Sequence, residues 1–180
     1  AFRWYKAAAE QGLAEAQFNL GLCYSNGQGT TVNKAEAFQW YKKAAEQGHA
    51  AAQYNLGVFY DNGQGTTVNK AEAFRWYKAA AEQGYAAAQN NLGFCYANGQ
   101  GTTVNKAEAF QWYKKAAEQG ITEAQFNLGS CFDYGNGTTV NKTEAVRWYK
   151  AAAEQGDVQA RERLNKMGQN KKGFFKTLFG

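Results

Sequence analysis

Trp4, Trp40, Trp76, Trp112 and Trp148 stand 36 residues apart, each inside the same ten letters, RWYKAAAEQG or QWYKKAAEQG. A fixed period of this length constrains the fold more than any composition does. One supersecondary unit is copied, no copy can bury its apolar side alone, and each must do so against its neighbours. The chain therefore reads as a stack of repeats: a half repeat at 1–12, four repeats at 13–48, 49–84, 85–120 and 121–156, a capping helix at 157–168 and a basic, aromatic tail at 169–180.

Residues 13–48 show how one unit is built. Ala16, Leu20 and Cys23 recur at spacings of four and three and are followed by Asn26-Gly27, which predicts a helix ended by a left-handed glycine. After the turn QGTTV, Asn33 and Glu36 form a capping-box pattern, in which each side chain is expected to satisfy a backbone N–H at the start of a second helix. The pattern recurs at Asn69/Glu72, Asn105/Glu108 and Asn141/Glu144. The second helix carries Ala37, Trp40, Tyr41, Ala44 and Ala45 as one stripe expected to be buried, and Gly48 closes it. Small residues at Ala16, Gly21, Ala44 and Ala45 let helix axes approach, with Trp40 and Tyr41 supplying buried area.

The strings AQFNLGLCYSNGQG and KAEAFQWYKKAAEQG resemble the Sel-one-like repeat, a relative of the tetratricopeptide repeat. The resemblance covers residues 1 to 168, with Thr30 and Asn33 standing where the family usually has Val and Asp. It implies an all-α fold, a right-handed superhelical solenoid of helix-turn-helix repeats. It also implies a non-catalytic scaffold or adaptor for protein or peptide partners, often in bacterial envelope or host-interaction settings. In the capping segment, Arg161, Glu162 and Arg163 replace Gln17, Phe18 and Asn19, giving the polar outer face that a capping helix needs.

Other chemistries find little support. The net charge is +5, but residues 1–156 hold 14 Lys and Arg against 13 Asp and Glu, so no basic groove for nucleic acid is expected. No apolar run approaches the roughly 18 to 20 residues of a membrane span. Cys23, Cys95 and Cys131 share one repeat position, which reads as core filling rather than a disulfide or metal framework. The recurring GQGTT lacks a following Gly-Lys-Ser/Thr and reads as a turn, not a phosphate loop. His49, the single histidine, reads as a surface residue, and no carboxylate pair stands out, so no catalytic residues, metal or cofactor are expected. The compartment stays open. Asn136 and Asn141 lie in N-x-T sequons, relevant only on a eukaryotic secretory route.

The copies disagree in one place. Repeats 13–48 and 85–120 differ at five positions, Leu13/Tyr85, Glu15/Ala87, Phe18/Asn90, Leu22/Phe94 and Ser25/Ala97. At about 100° per residue, positions 15, 18, 22 and 25 share one side of the first helix. The stripe continues as Ala51, Tyr54, Val58 and Asp61, then as Glu123, Phe126, Ser130 and Asp133. By the resemblance it lines a concave groove, and its apolar members are better covered than bare. Beside it Asn19, Asn55, Asn91 and Asn127 do not change. Their amides could hold the backbone of an extended peptide, or simply bond neighbouring helices. Four helices about 10 Å apart would take a segment of about nine extended residues.

The tail KKGFFKTLFG places Phe174, Phe175, Leu178 and Phe179 at an amphipathic spacing beside Lys171, Lys172 and Lys176. Docking on a solenoid, disorder and membrane contact are its open fates. The alternative to a peptide-binding scaffold is accordingly a structural protein that self-associates through its open half repeat and this tail.

Overall fold

The computed structural model describes the backbone of residues 1–179 and the side chains of residues 1–168. Among the described residues there are ten helices and no strand. They are α1 (Phe2–Glu10), α2 (Ala14–Asn26), α3 (Lys34–Glu46), α4 (Ala50–Asn62), α5 (Lys70–Glu82), α6 (Ala86–Asn98), α7 (Lys106–Glu118), α8 (Thr122–Tyr134), α9 (Lys142–Glu154) and α10 (Val158–Phe179). Each packs on its neighbour in sequence, α2 on α3, α3 on α4, α4 on α5 and α5 on α6, then α7 on α8, α8 on α9 and α9 on α10. The fold is an all-α solenoid of helix pairs. Two compact units are distinguished, residues 1–104 with α1 to α6 and residues 105–180 with α7 to α10, and each is described by itself. The tail residues Phe174, Phe175, Leu178 and Phe179 lie outside the described side chains.

The first helix of a pair ends where the Asn-Gly signal places it. Gly27 has φ +72° and its N–H bonds the Cys23 carbonyl, as Gly63 does with Phe59. The chain then returns, and the Asn33 N–H donates to the Tyr24 carbonyl at 2.8 Å, fastening the start of α3 to the last turn of α2. The same bond runs from Asn69 to Tyr60 and from Asn141 to Phe132. Asn33 Oδ1 accepts the Glu36 N–H at 3.1 Å, so the asparagine half of the capping box forms. The glutamate half has no use here, because the N–H it would satisfy is already given to the preceding helix. Glu72 and Glu144 accept from Arg75 and Arg147 instead.

Leu20, Leu56, Leu92 and Leu128 are fully buried, with alanines on both helices around them. The glycine in the middle of each first helix is a notch for the tyrosine of the second. A Cβ on Gly57 would stand 2.7 Å from the Tyr77 ring, and Gly21 and Gly129 lie against Tyr41 and Tyr149 in the same way. The expected stripe needs one correction, since Trp40 is only half-buried while Phe38 is buried, edge-on to Tyr60 at 5.2 Å. The indole instead reaches back over the preceding pair, Trp40 onto Ala9, Ala16 and Leu20, and Trp76 onto the α3–α4 core. A cation covers its outer side. Lys43 lies 4.1 Å above Trp40 where residue 39 is Gln, and Arg75 lies 4.8 Å above Trp76 where residue 79 is Ala. The second unit repeats both solutions with Lys115 over Trp112 and Arg147 over Trp148. Such a contact contributes about 0.5–1 kcal/mol at an exposed site.

A buried glutamine ladder joins successive pairs. Gln17 Nε2 donates to the Ala9 carbonyl at 3.3 Å, and Gln17 Oε1 accepts from Gln47 Nε2 at 2.7 Å. Gln53 repeats this with Ala45 and Gln83, and in the second unit Gln125 does so with Ala117 and Gln155. Each amide thus touches the second helix before it and the second helix after it. At the corresponding place in α10, Arg161 donates to the Ala153 carbonyl at 3.3 Å. A guanidinium has donors but no acceptor, so the rung is made and the ladder cannot continue. Asp157 Oδ1 caps this helix by accepting the Ala160 N–H at 2.7 Å.

The GQGTT turns also join repeats. Gly65 has φ +66°, and a Cβ there would run into the Lys34 carbonyl of the preceding pair; Gly137 stands against Lys106 likewise. The second loop glycine is fixed by conformation and by contact together.

Candidate peptide-binding face

In the first unit the variable stripe divides into three rows. The inner row is occupied from within: Phe18 is half-buried, 6.0 Å from the Tyr41 ring and stacked on His49 at 4.7 Å, while Tyr54 lies 6.0 Å from Tyr77 and 5.2 Å from Tyr85. Asn90 takes this place, half-buried, in the third repeat, and in the second unit Phe126 lies 5.5 Å from Tyr149. These rings are wedged under the first residue of the next repeat or against the tyrosine of their own.

The row at the end of the helix closes the repeat on itself. Lys34 Nζ donates to the Ser25 carbonyl and hydroxyl, both at 2.9 Å. Lys70 does the same to Asp61 at 2.9 Å (carbonyl) and 2.6 Å (Oδ1). In the second unit Lys142 bonds Asp133 Oδ1 at 2.6 Å, and the Tyr149 hydroxyl donates to its other oxygen at 3.4 Å. Asp133, expected on the open stripe, is 6% exposed and serves as an internal anchor.

The asparagine row is half-buried. Asn55 bonds the Tyr41 hydroxyl and Asn91 the Tyr77 hydroxyl, while Asn19 Nδ2 donates to the Glu15 carbonyl (2.8 Å) and carboxylate (3.1 Å). In the second unit Asn127 is half-buried and Ser130 bonds the Tyr149 hydroxyl. The helix-bonding reading of the row is thus realised for Asn55 and Asn91. Their partner, the tyrosine after each tryptophan, carried a signal in its own recurrence, yet a ring hydroxyl that points back across a helix pair has no sequence pattern of its own.

What the inner and closing rows leave over is Leu22 and Val58, half-buried, and Phe94, 46% exposed, with Ala51 and Glu15 nearer the helix starts. These apolar groups close no repeat and carry no polar bond.

A model of the Sel1 repeat matches residues 1–13, 14–49, 50–85, 86–121 and 122–157, almost the whole chain. The chain belongs to the Sel1 repeat family. Among solved structures, this Sel1 repeat protein is similar to a protective antigen of uropathogenic Escherichia coli strains that displays the same fold, at 42% identity and TM-score 0.89 over 93% of this chain and 36% of that one. It is also similar to a Sel1 repeat protein from Oxalobacter formigenes, at 42% identity and TM-score 0.82 over 91% and 65%. Cysteine rich protein B of Helicobacter pylori resembles it at 26% identity and TM-score 0.58 over 74% and 96%. The chain spans less than two thirds of the first two relatives. No curated protein sequence matches it significantly. Sel1 repeat proteins are generally protein-interaction scaffolds.

Two residue types in this Sel1 array need comment. His49 is not a surface residue: it caps α4, with Nδ1 accepting the Ala52 N–H at 3.2 Å and Nε2 donating to Glu15 Oε2 at 2.9 Å. The hydrogen bonds from His49 and Asn19 hold the Glu15 carboxyl below the usual value. The cysteines are buried as core filling, and burial pushes the Cys95 and Cys131 thiols up to about 11. No described helix is long and apolar enough to cross a membrane, and no described cluster of His, Cys, Asp and Glu has the makings of a metal site.

Proposed function

We propose that this Sel1 repeat protein is a non-catalytic interaction scaffold that takes an extended peptide segment along the first helices of residues 1–104. The observation that carries this reading is the row Leu22, Val58 and Phe94: apolar residues with no internal task, on the one face where otherwise near-identical copies differ. Apolar side chains left half-open in a line favour a partner that covers them. Asn19, Asn55 and Asn91 flank the row, and tyrosine hydroxyls hold the amides of Asn55 and Asn91 in place beside the ligand's backbone. The serine of the fourth repeat, Ser130, supplies a benign replacement. Peptides selected by the intact chain from a random displayed library should bind the triple variant Leu22→Ser, Val58→Ser, Phe94→Ser at least about tenfold more weakly, the loss of a small apolar contact set. The melting point should hardly change, and equal binding by the variant would overturn the reading.

Self-association is the second reading. Trp4 is 81% exposed, whereas Trp40 and Trp76 are half-buried against neighbouring pairs. If that face pairs between copies, the mass in solution will exceed that of one chain and return to it in Trp4→Ala.

A further inference from the structure

Asn-Gly occurs four times in the chain, at Asn26-Gly27, Asn62-Gly63, Asn98-Gly99 and Asn136-Gly137. In the first three the asparagine is the last residue of its helix and the glycine N–H is bonded to a carbonyl of the last turn, Cys23, Phe59 or Cys95. Two of these asparagines are held a second time, with Asn62 Nδ2 on the Val58 carbonyl and Asn98 Nδ2 on the Phe94 carbonyl, both at 3.0 Å. The fourth repeat is shifted. There α8 ends at Tyr134, Gly135 supplies the left-handed stop with its N–H on the Cys131 carbonyl, and Asn136 falls in the bend where the other repeats have Gln28, Gln64 and Gln100. Asn136 is exposed, and among the described residues neither its side chain nor the Gly137 N–H has a hydrogen-bond partner.

We infer that Asn136 is the site at which the folded chain modifies itself by spontaneous deamidation. The Gly137 backbone nitrogen bonds to the Asn136 side-chain carbonyl carbon. The side-chain nitrogen leaves as ammonia, carrying off the proton that the backbone nitrogen gives up. Water then opens the cyclic imide at either carbonyl, so that aspartate or isoaspartate replaces asparagine and the chain loses one amide and gains one negative charge. A glycine at the attacking position offers the least hindrance, and here its N–H needs no bond broken first. At Gly27, Gly63 and Gly99 the same nitrogen is engaged, and the helix end must open before it can attack.

The position also gives the reaction a structural consequence. Gly137 stands against the Lys106 carbonyl and Ala107 N at the start of α7, with no room for even a Cβ. Isoaspartate inserts a methylene into the backbone next to this contact, so the aged loop cannot keep it unchanged.

The four pairs fall in separate tryptic peptides, 7–34, 44–70, 79–106 and 116–142, so each is its own control. The full chain, held in mildly alkaline buffer and sampled over days by mass spectrometry, should show the amide-to-acid mass gain in 116–142 at least about tenfold faster than in the other three, the factor expected where a backbone hydrogen bond must first break. In strong urea the four rates should converge. Asn136→Gln, which restores the residue of the other loops, should abolish the gain in 116–142 without moving the melting point. A folded-state rate at Asn26, Asn62 or Asn98 equal to that at Asn136, or the same ranking in urea, would overturn the inference.

Discussion

Gln53 works for two neighbours at once. It donates to the Ala45 carbonyl behind it and accepts from Gln83 ahead of it, and it does so while almost wholly buried. Replacing it by leucine of similar size leaves Ala45 with the Gly48 N–H as a partner but leaves the Gln83 amide facing an apolar wall. A buried donor without an acceptor costs about 1–3 kcal/mol, so Gln53→Leu should lose that much in urea unfolding. Gln28→Leu, in the open loop, should lose almost nothing. The ladder was present in the letters, since every AQ in a first helix stands 30 residues before a Gln that ends a second helix. What hid it is that glutamine is mostly a surface residue, and an amide gives no periodic apolar signal to mark it as buried. His49 escaped for a related reason: its cap on α4 and its bond to Glu15 join repeats, and the position is filled by Leu13, Tyr85 and Ile121 elsewhere.

The helices themselves were legible because their ends are written in short codes. Asn-Gly stopped each first helix and the asparagine at 33, 69, 105 and 141 opened each second one, as the φ values and cap bonds bear out. The half of the capping box assigned to glutamate was not legible, because its target N–H is consumed by a carbonyl of the preceding helix. The glycines inside and after helices look alike in sequence and differ in what they touch. Gly57→Ala improves helix propensity by roughly 1 kcal/mol but drives a methyl into the Tyr77 ring, and overpacking of this kind costs about 1–3 kcal/mol. The net outcome should be a lower melting point. Gly168→Ala meets nothing within 4 Å in α10 and should raise it, by about 0.5–1 kcal/mol in stability. A common effect of both substitutions would contradict the notch role of Gly57.

Across the molecule, each unit hides acids that ionise in alkali. Residues 1–104 contain Tyr41, pushed to about 12, and Cys95, pushed to about 11, with Tyr77 raised as well. Residues 105–180 contain Cys131, pushed to about 11, and Tyr149, also raised. Burial is the leading cause in every case, because the thiolate or phenolate would lose its water. A folded value above the unfolded one means that stability is complete below the unfolded value and declines as pH rises toward the folded one. Unfolded thiols ionise near 8.5 and phenols near 10. Stability should therefore be flat up to about pH 8.5, fall through about pH 11 as unfolded cysteines and then tyrosines release protons, and fall in both units over the same window. The measurement is helix content by circular dichroism alongside tyrosinate absorbance in one titration. Part of the tyrosinate signal should appear only as helix is lost, and that part should vanish when Tyr41, Tyr77 and Tyr149 are replaced by phenylalanine. Full tyrosinate absorbance with the helices intact would show that these hydroxyls reach water, and the notch-and-tyrosine packing that joins each helix pair would have to be redrawn.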